Sequence, residues 1–258
     1  MGQRLVLSVR LRGEEDALVN VYKHWSAYTG SSIEEANQFI EAYQNWAHLN
    51  PEEKRIFAKK DVDSVARQKE IITMLMMDCW PGAHPAGFTG KDGFAEYDES
   101  KDPDAAEKHA RDVKMWMVGN GMPNLAARLK DKFSYDRNEG LIGITKNAIE
   151  DYQSWSEGDV DIIIDENTGD IEELYFGVMW GQEWKEACEE YEQEPGGPTP
   201  EKQLEDDIYE TDFVNGDDFG VFTLEDWKEF LEIYDQARTA GKYKIGSKKN
   251  NAVWSFIE

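Results

Sequence analysis

The spacing of hydrophobic positions changes along the chain, and the changes predict its elements. Residues 4–12, Arg4-Leu5-Val6-Leu7-Ser8-Val9-Arg10-Leu11-Arg12, alternate polar and apolar side chains, which predicts a strand. Gly13-Glu14-Glu15-Asp16 makes a turn, and Ala17 to Tyr28 returns as a second strand. The period then lengthens. Ser32-Ile33-Glu34-Glu35 has the S-x-x-E form of a capping box, opening a helix whose apolar face is Ile33, Ala36, Phe39, Ile40, Tyr43 and Ala47. Pro51-Glu52-Glu53 starts a second helical stretch, and residues 61–79 read as a third helix rich in core methionines.

Beyond residue 79, glycine and proline punctuate the chain. Pro81, Gly82, Pro85, Gly87, Gly90 and Gly93 predict a loop over 80–93. Asp102-Pro103-Asp104 opens a helix that runs to about Val118 and stops at Gly119-Asn120-Gly121. Residues 140–144 read as a strand, succeeded by a short helix around Asn147 to Trp155. The apolar runs 161–165 and 171–176 flank Glu166-Asn167-Thr168-Gly169 as a β-hairpin. Gln182 to Gln193 is helical and very acidic, and Glu194-Pro195-Gly196-Gly197-Pro198-Thr199-Pro200 has the composition of a linker. Thr223 caps a last helix with Leu224, Trp227, Phe230, Leu231 and Tyr234 inward and Gly241 past its end; the tail from Ala252 to Ile257 adds an edge strand. The class is α+β: a mixed sheet from several short strands and hairpins, with packed amphipathic helices.

Composition supports a folded chain. Of 258 residues, 40% are hydrophobic and nine are tryptophan, enough for a substantial core. No run approaches the ~20 apolar residues of a membrane helix, and the short apolar start is not a signal peptide, so no membrane role and a cytoplasmic location are expected. Cys79 and Cys188 form no disulfide framework, and Cys79, at the end of an apolar run, is expected to be a buried thiol.

Charge alters the picture most. The net charge is -25. From Glu150 to Asp235 there are 29 acidic residues against Lys185, Lys202 and Lys228, while the rest of the chain is near neutral. This divides the sequence into a near-neutral α+β region, 1–149, and an acidic α+β region, 150–258, with the linker at 194–200; one compact domain is the alternative. Such a field repels phosphates and excludes direct nucleic-acid binding.

Catalytic and metal motifs fail on spacing. Asp165-Glu166-Asn167-Thr168-Gly169-Asp170 lacks the sixth-position glycine and twelfth-position glutamate of an EF-hand, so a hairpin turn explains it. Asp218-Phe219-Gly220 stands without the other kinase elements, and Gly90-Lys91 without the rest of a phosphate loop. Cys79, His84 and His109 lack a fourth zinc ligand, and a serine nucleophile beside His24 or His109 would need tertiary proximity. No catalytic residue, metal or cofactor is assigned.

The acidic block has helical order. Glu183, Glu186, Glu190 and Glu194 recur at spacings of three and four and share one face. Four helical residues advance about 6 Å, against one phosphate per ~3.4 Å of duplex axis on each strand, so the row imitates a phosphate track coarsely. Asp206, Asp207, Asp217 and Asp218 extend it, as do Glu225, Glu229 and Glu232 on the outer face of the last helix. Trp184 would be an apolar anchor within an acidic rim. A basic protein surface would relieve the repulsion among these acids and be drawn in by steering. A solvated face that aids solubility and a divalent-cation surface are the competing explanations.

Three segments carry a resemblance: Gly2-Gln3-Arg4-Leu5-Val6-Leu7, His24-Trp25-Ser26-Ala27-Tyr28-Thr29 and Arg137-Asn138-Glu139-Gly140-Leu141-Ile142. Over roughly the first 165 residues the chain resembles uncharacterised accessory proteins of phages of Gram-positive bacteria. The resemblance implies a product made in the host cytoplasm, of a kind that often inhibits host defence, in some cases by imitating DNA. The expected function is therefore a non-enzymatic inhibitor whose acidic surface occupies a basic, nucleic-acid-binding surface of a host protein. The alternatives are an enzyme or sequestering protein acting on a small nucleotide-like molecule, with the loop over 80–93 above its pocket, and a virion structural or assembly protein, which would form a homo-oligomer.

Overall fold

The computed structural model describes residues 4–24, 26, 29–86, 104–130, 140–145, 158–178, 221–240, 244–249 and 252–255. Its centre is a seven-stranded mixed sheet. The strands are β1 (Leu5–Leu11), β2 (Val19–Lys23), β3 (His84–Ala86), β4 (Leu141–Gly143), β5 (Gly158–Ile164), β6 (Ile171–Val178) and β7 (Val221–Thr223). They lie in the order β3-β4-β2-β1-β5-β6-β7. β1 pairs antiparallel with β2 and parallel with β5, so one sheet joins strands from both sides of residue 150. A separate two-stranded sheet joins β8 (Lys244–Lys249) to β9 (Ala252–Ser255).

Six α-helices occur among the described residues: α1 (Thr29–Leu49), α2 (Pro51–Lys54), α3 (Val62–Cys79), α4 (Ala105–Gly119), α5 (Pro123–Arg128) and α6 (Leu224–Ala240). A 3₁₀ turn over Arg55–Ala58 succeeds α2. The α+β class expected from periodicity is what the chain adopts. Every residue of the expected α1 face is buried, from Ile33 to Ala47. These side chains form one cluster with Leu5, Leu7 and Val9 of β1 and with Val160 and Ile162 of β5. Trp227 and Phe230 of α6 join it through Phe176 and Phe222.

Several boundaries differ from expectation, each for a local reason. α1 begins at Thr29 rather than at a capping box on Ser32. Ser32 lies inside the helix and donates its hydroxyl to the Ser26 carbonyl at 2.7 Å, while Glu35 turns to Lys23 and Ser26. The second strand ends at Lys23, well short of Tyr28. His84–Ala86, expected as loop, pairs with β4 in parallel; Pro85 is tolerated on this edge strand, where no ladder needs its missing N–H. α5, β7 and β8 have no counterpart among the elements expected from the pattern, and the tail strand pairs with β8 instead of the main sheet. The 166–169 hairpin forms as expected: Asp165 Oδ1 accepts from the amides of Asn167 and Thr168, both at 2.8 Å, and Gly169 takes φ 70°. The expected helices around 147–155 and 182–193 and the linker at 194–200 lie outside the described residues.

Candidate functional site

β6 leaves the sheet at Val178 and β7 rejoins it at Val221. Register places that departure at the end of the sheet marked by Leu5, Lys23 and Gly158. The 42 residues between them carry 14 acids against Lys185 and Lys202. Glu183, Glu186, Glu190, Glu194, Asp206, Asp207, Asp217, Asp218 and Trp184 all fall in this stretch, outside the described residues.

The structure places Glu225, Glu229 and Glu232 on α6. Thr223 caps this helix: its Oγ1 accepts from the Asp226 amide at 3.1 Å and donates to Asp226 Oδ2 at 2.8 Å. Trp227 and Phe230 are driven inward, 1% and 6% exposed, and this fixes the rotation of the helix. Glu225, Glu229 and Glu232 recur at four and three residues on the opposite side and are exposed, with Asp235 exposed one turn on.

Several acids of the 150–235 stretch that lie in the sheet or its turn pair with cations from the first half of the chain. Arg10 of β1 pairs with Asp161 of β5 at 3.0 Å. Arg12 pairs with Glu172 and, at 3.2 Å, with Glu173. Lys54 of α2 meets Asp170 at 2.7 Å. Cations from the near-neutral region thus neutralise acids from the acidic one on β5, on β6 and in the turn between them. Burial raises the Asp161 carboxyl above its ordinary range, and Arg10 and the Ser8 hydroxyl oppose that shift.

Two polar clusters lie on β2, on opposite faces because side chains alternate. Lys23 turns toward the helices, where it pairs with Glu35 and stands 4.9 Å from the Trp80 ring centroid. Burial pushes the Glu35 carboxyl up; Lys23, then Ser26 and the Trp80 indole, favour the charged form. Glu35 Oε2 and Trp80 Nε1 are nonetheless buried without closing a hydrogen bond. On the other face, the Tyr22 hydroxyl and His24 Nδ1 are 2.6 Å apart. The same face carries His84, two strands away through the Tyr22–Leu141–His84 register, and the row Asn20–Ser8–Asp161. His24 reaches the same face through its contact with Tyr22, an arrangement no sequence spacing announced. The side chain of His109 lies outside the described residues.

Cys79 is 8% exposed, with Sγ 3.7 Å from the Gln38 carbonyl oxygen, so it is the buried thiol expected. Among the described residues, no group of three or more His, Cys, Asp or Glu side chains is placed to hold a metal ion. No described helix is long and apolar enough to cross a membrane. No known protein family, curated protein or solved structure matches this chain.

Proposed function

We propose that this protein is a non-enzymatic binder that presents an acidic surface to a basic, nucleic-acid-binding surface of another protein, and so excludes nucleic acid from it. The observation that carries the reading is the position of Glu225, Glu229 and Glu232, exposed in one row on a helix anchored by Trp227. Asp161, Asp170, Glu172 and Glu173 pair with arginine or lysine within the sheet and its turn. A helix that holds carboxylates outward places negative charge at the surface of a -25 chain, where a cationic partner relieves the self-repulsion. That partner would be a host protein if the chain acts as its phage-like sequence implies.

Affinity capture on the full chain, washed over a range of salt, tests the reading. The captured protein should bind duplex DNA by itself and lose it to the acidic protein, with retention falling steeply as salt rises. The variants Glu225→Lys/Glu229→Lys/Glu232→Lys and Glu183→Lys/Glu186→Lys/Glu190→Lys should fold and lose the partner. Undiminished binding by both would exclude an electrostatic surface. The shared face of Tyr22, His24 and His84 favours a second reading, an enzyme acting on a small nucleotide-like molecule; turnover abolished by His24→Gln or His84→Gln in a folded protein would support it instead.

A further inference from the structure

A cleft of about 510 Å³ opens where the end of α1, α2, the β5–β6 turn and the start of α6 meet. Ala47, Ile171 and Leu224 line it with apolar atoms, and its charged groups are Lys54, Lys228 and Asp170, with His48 beside them. This polarity runs against the composition of the chain. Lys228 is one of three basic residues between Glu150 and Asp235, and it lines the cleft from a helix otherwise faced with acid. On that helix it lies one turn beyond Leu224, at the border between the cleft and the glutamate row, three residues from Glu225 and four from Glu232.

Two contacts tie α1 and α2 to the β5–β6 turn. The Tyr43 hydroxyl donates to the Gly169 carbonyl at 2.6 Å, and Lys54 Nζ lies 2.7 Å from Asp170 Oδ1. Gly169 approaches α2 so closely that an added Cβ would stand 2.7 Å from the Lys54 carbonyl oxygen. The Lys54 ammonium is thereby held at the cleft with one carboxylate beside it, and Lys228 supplies a second positive charge from α6. Two lysines against Asp170 leave a net single positive charge at the cleft, which a phosphate monoester offsets, and the His48 imidazole adds a polar contact. The volume falls in the range of small-molecule sites, and the apolar part of the lining calls for a hydrophobic substituent. Lysine ammonium groups serve phosphate as point charges without a bidentate geometry.

We propose that this cleft binds a small phosphate monoester that carries an apolar group. The proposal stands apart from the acidic helix face, since it concerns a small ligand at a concave site of opposite sign.

Titration of the full-length protein with phenyl phosphate, monitored by backbone amide resonances, provides the test, with inorganic phosphate, benzoate and benzyl alcohol in parallel. Phenyl phosphate should shift Gly169, Asp170 and Leu224 saturably, more tightly than inorganic phosphate or benzoate, and benzyl alcohol should not bind. Lys228→Gln, on an exposed side chain, should weaken phenyl phosphate by about tenfold without altering thermal unfolding. Lys54→Gln should weaken it too, and Lys59→Gln should leave it unchanged. Equal binding of benzyl alcohol or benzoate, indifference to Lys228→Gln, or no saturable shift at millimolar phenyl phosphate would each overturn the proposal.

Discussion

Tyr43 and Gly169 are 126 residues apart and joined by a buried 2.6 Å hydrogen bond from the phenol hydroxyl to the glycine carbonyl. The bond clamps the β5–β6 turn onto α1, and burial raises the Tyr43 phenol well above its ordinary range, so it remains a donor at any working pH. Tyr43→Phe removes the donor and leaves a buried carbonyl oxygen without it, which should cost about 1–3 kcal/mol in urea unfolding. Gly169→Ala should cost at least as much, because φ 70° is strained for alanine and its Cβ would meet backbone at Lys54. A loss confined to Gly169→Ala would show that the turn is held by shape and that the hydroxyl contributes little.

The pair Lys23–Glu35 predicts a pronounced non-additivity. Both side chains are nearly buried, at 12% and 15% exposure. Lys23→Met strands a carboxylate beside Trp80 and should destabilise by about 3–5 kcal/mol, whereas Lys23→Met/Glu35→Leu should return close to wild-type stability. The pH dependence stems from the raised Glu35 carboxyl. With a folded value above the unfolded one, the ionised group opposes folding at neutral pH, and that penalty is relieved as pH falls through the folded value. The Lys23→Met protein should therefore gain stability relative to wild type on mild acidification. Equal losses at pH 7 and pH 5 would mean that Glu35 is not the stranded group.

How far the sequence reveals this molecule depends on the range of the interactions. Helical period locates α1 and its inward face from Ile33 to Ala47, and Thr223 locates the start of α6, because helix faces and caps are local. Ser32-Ile33-Glu34-Glu35 misleads for the same reason in reverse. The motif is local, but Lys23 draws Glu35 away and the Ser26 carbonyl takes the Ser32 hydroxyl. The regional charge count identifies an acidic stretch yet not which acids stay exposed. That depends on the parallel β1–β5 pairing, which brings Arg10 to Asp161 across 151 positions of chain. The cleft and the shared face of His24 and His84 are likewise products of long-range strand order. Three-residue strands such as β3 and β7 carry too few side chains for alternation to register.

Cys79 should be inert in the native state. Burial, with Asp78 and Glu35 nearby, pushes its thiol up to about 12, and the thiolate is the reactive form. In a Cys188→Ser background, reaction of Cys79 with a disulfide reagent at pH 8 should proceed at the rate of unfolding and accelerate with urea. Rapid labelling without denaturant would place the α1–α3 contact through Gln38 among the loosely held parts of the fold.

Glu70 offers the sharpest test of pH linkage. Its carboxylate is fully buried on α3 and accepts from the Leu125 amide at 2.9 Å, from Asn124 Nδ2 at 3.1 Å and from Arg67. Burial alone would raise the carboxyl, but the Leu125 amide, Asn124 and Arg67 together outweigh it and hold Glu70 below its ordinary value of 4.5. A depressed folded value means that ionised Glu70 stabilises the fold above the unfolded value, and that this contribution disappears as pH falls through the folded one. Glu70→Gln keeps the shape and removes the charge, so it should cost about 2–4 kcal/mol at pH 7, chiefly by loosening α5 from α3. Measured by urea unfolding from pH 7 to pH 3, the gap between wild type and variant should narrow once pH drops below 4.5, as wild-type Glu70 takes up its proton. A gap that stays constant across that range would show that the amide and guanidinium contacts do not favour the charged form, and that Glu70 acts only through its shape.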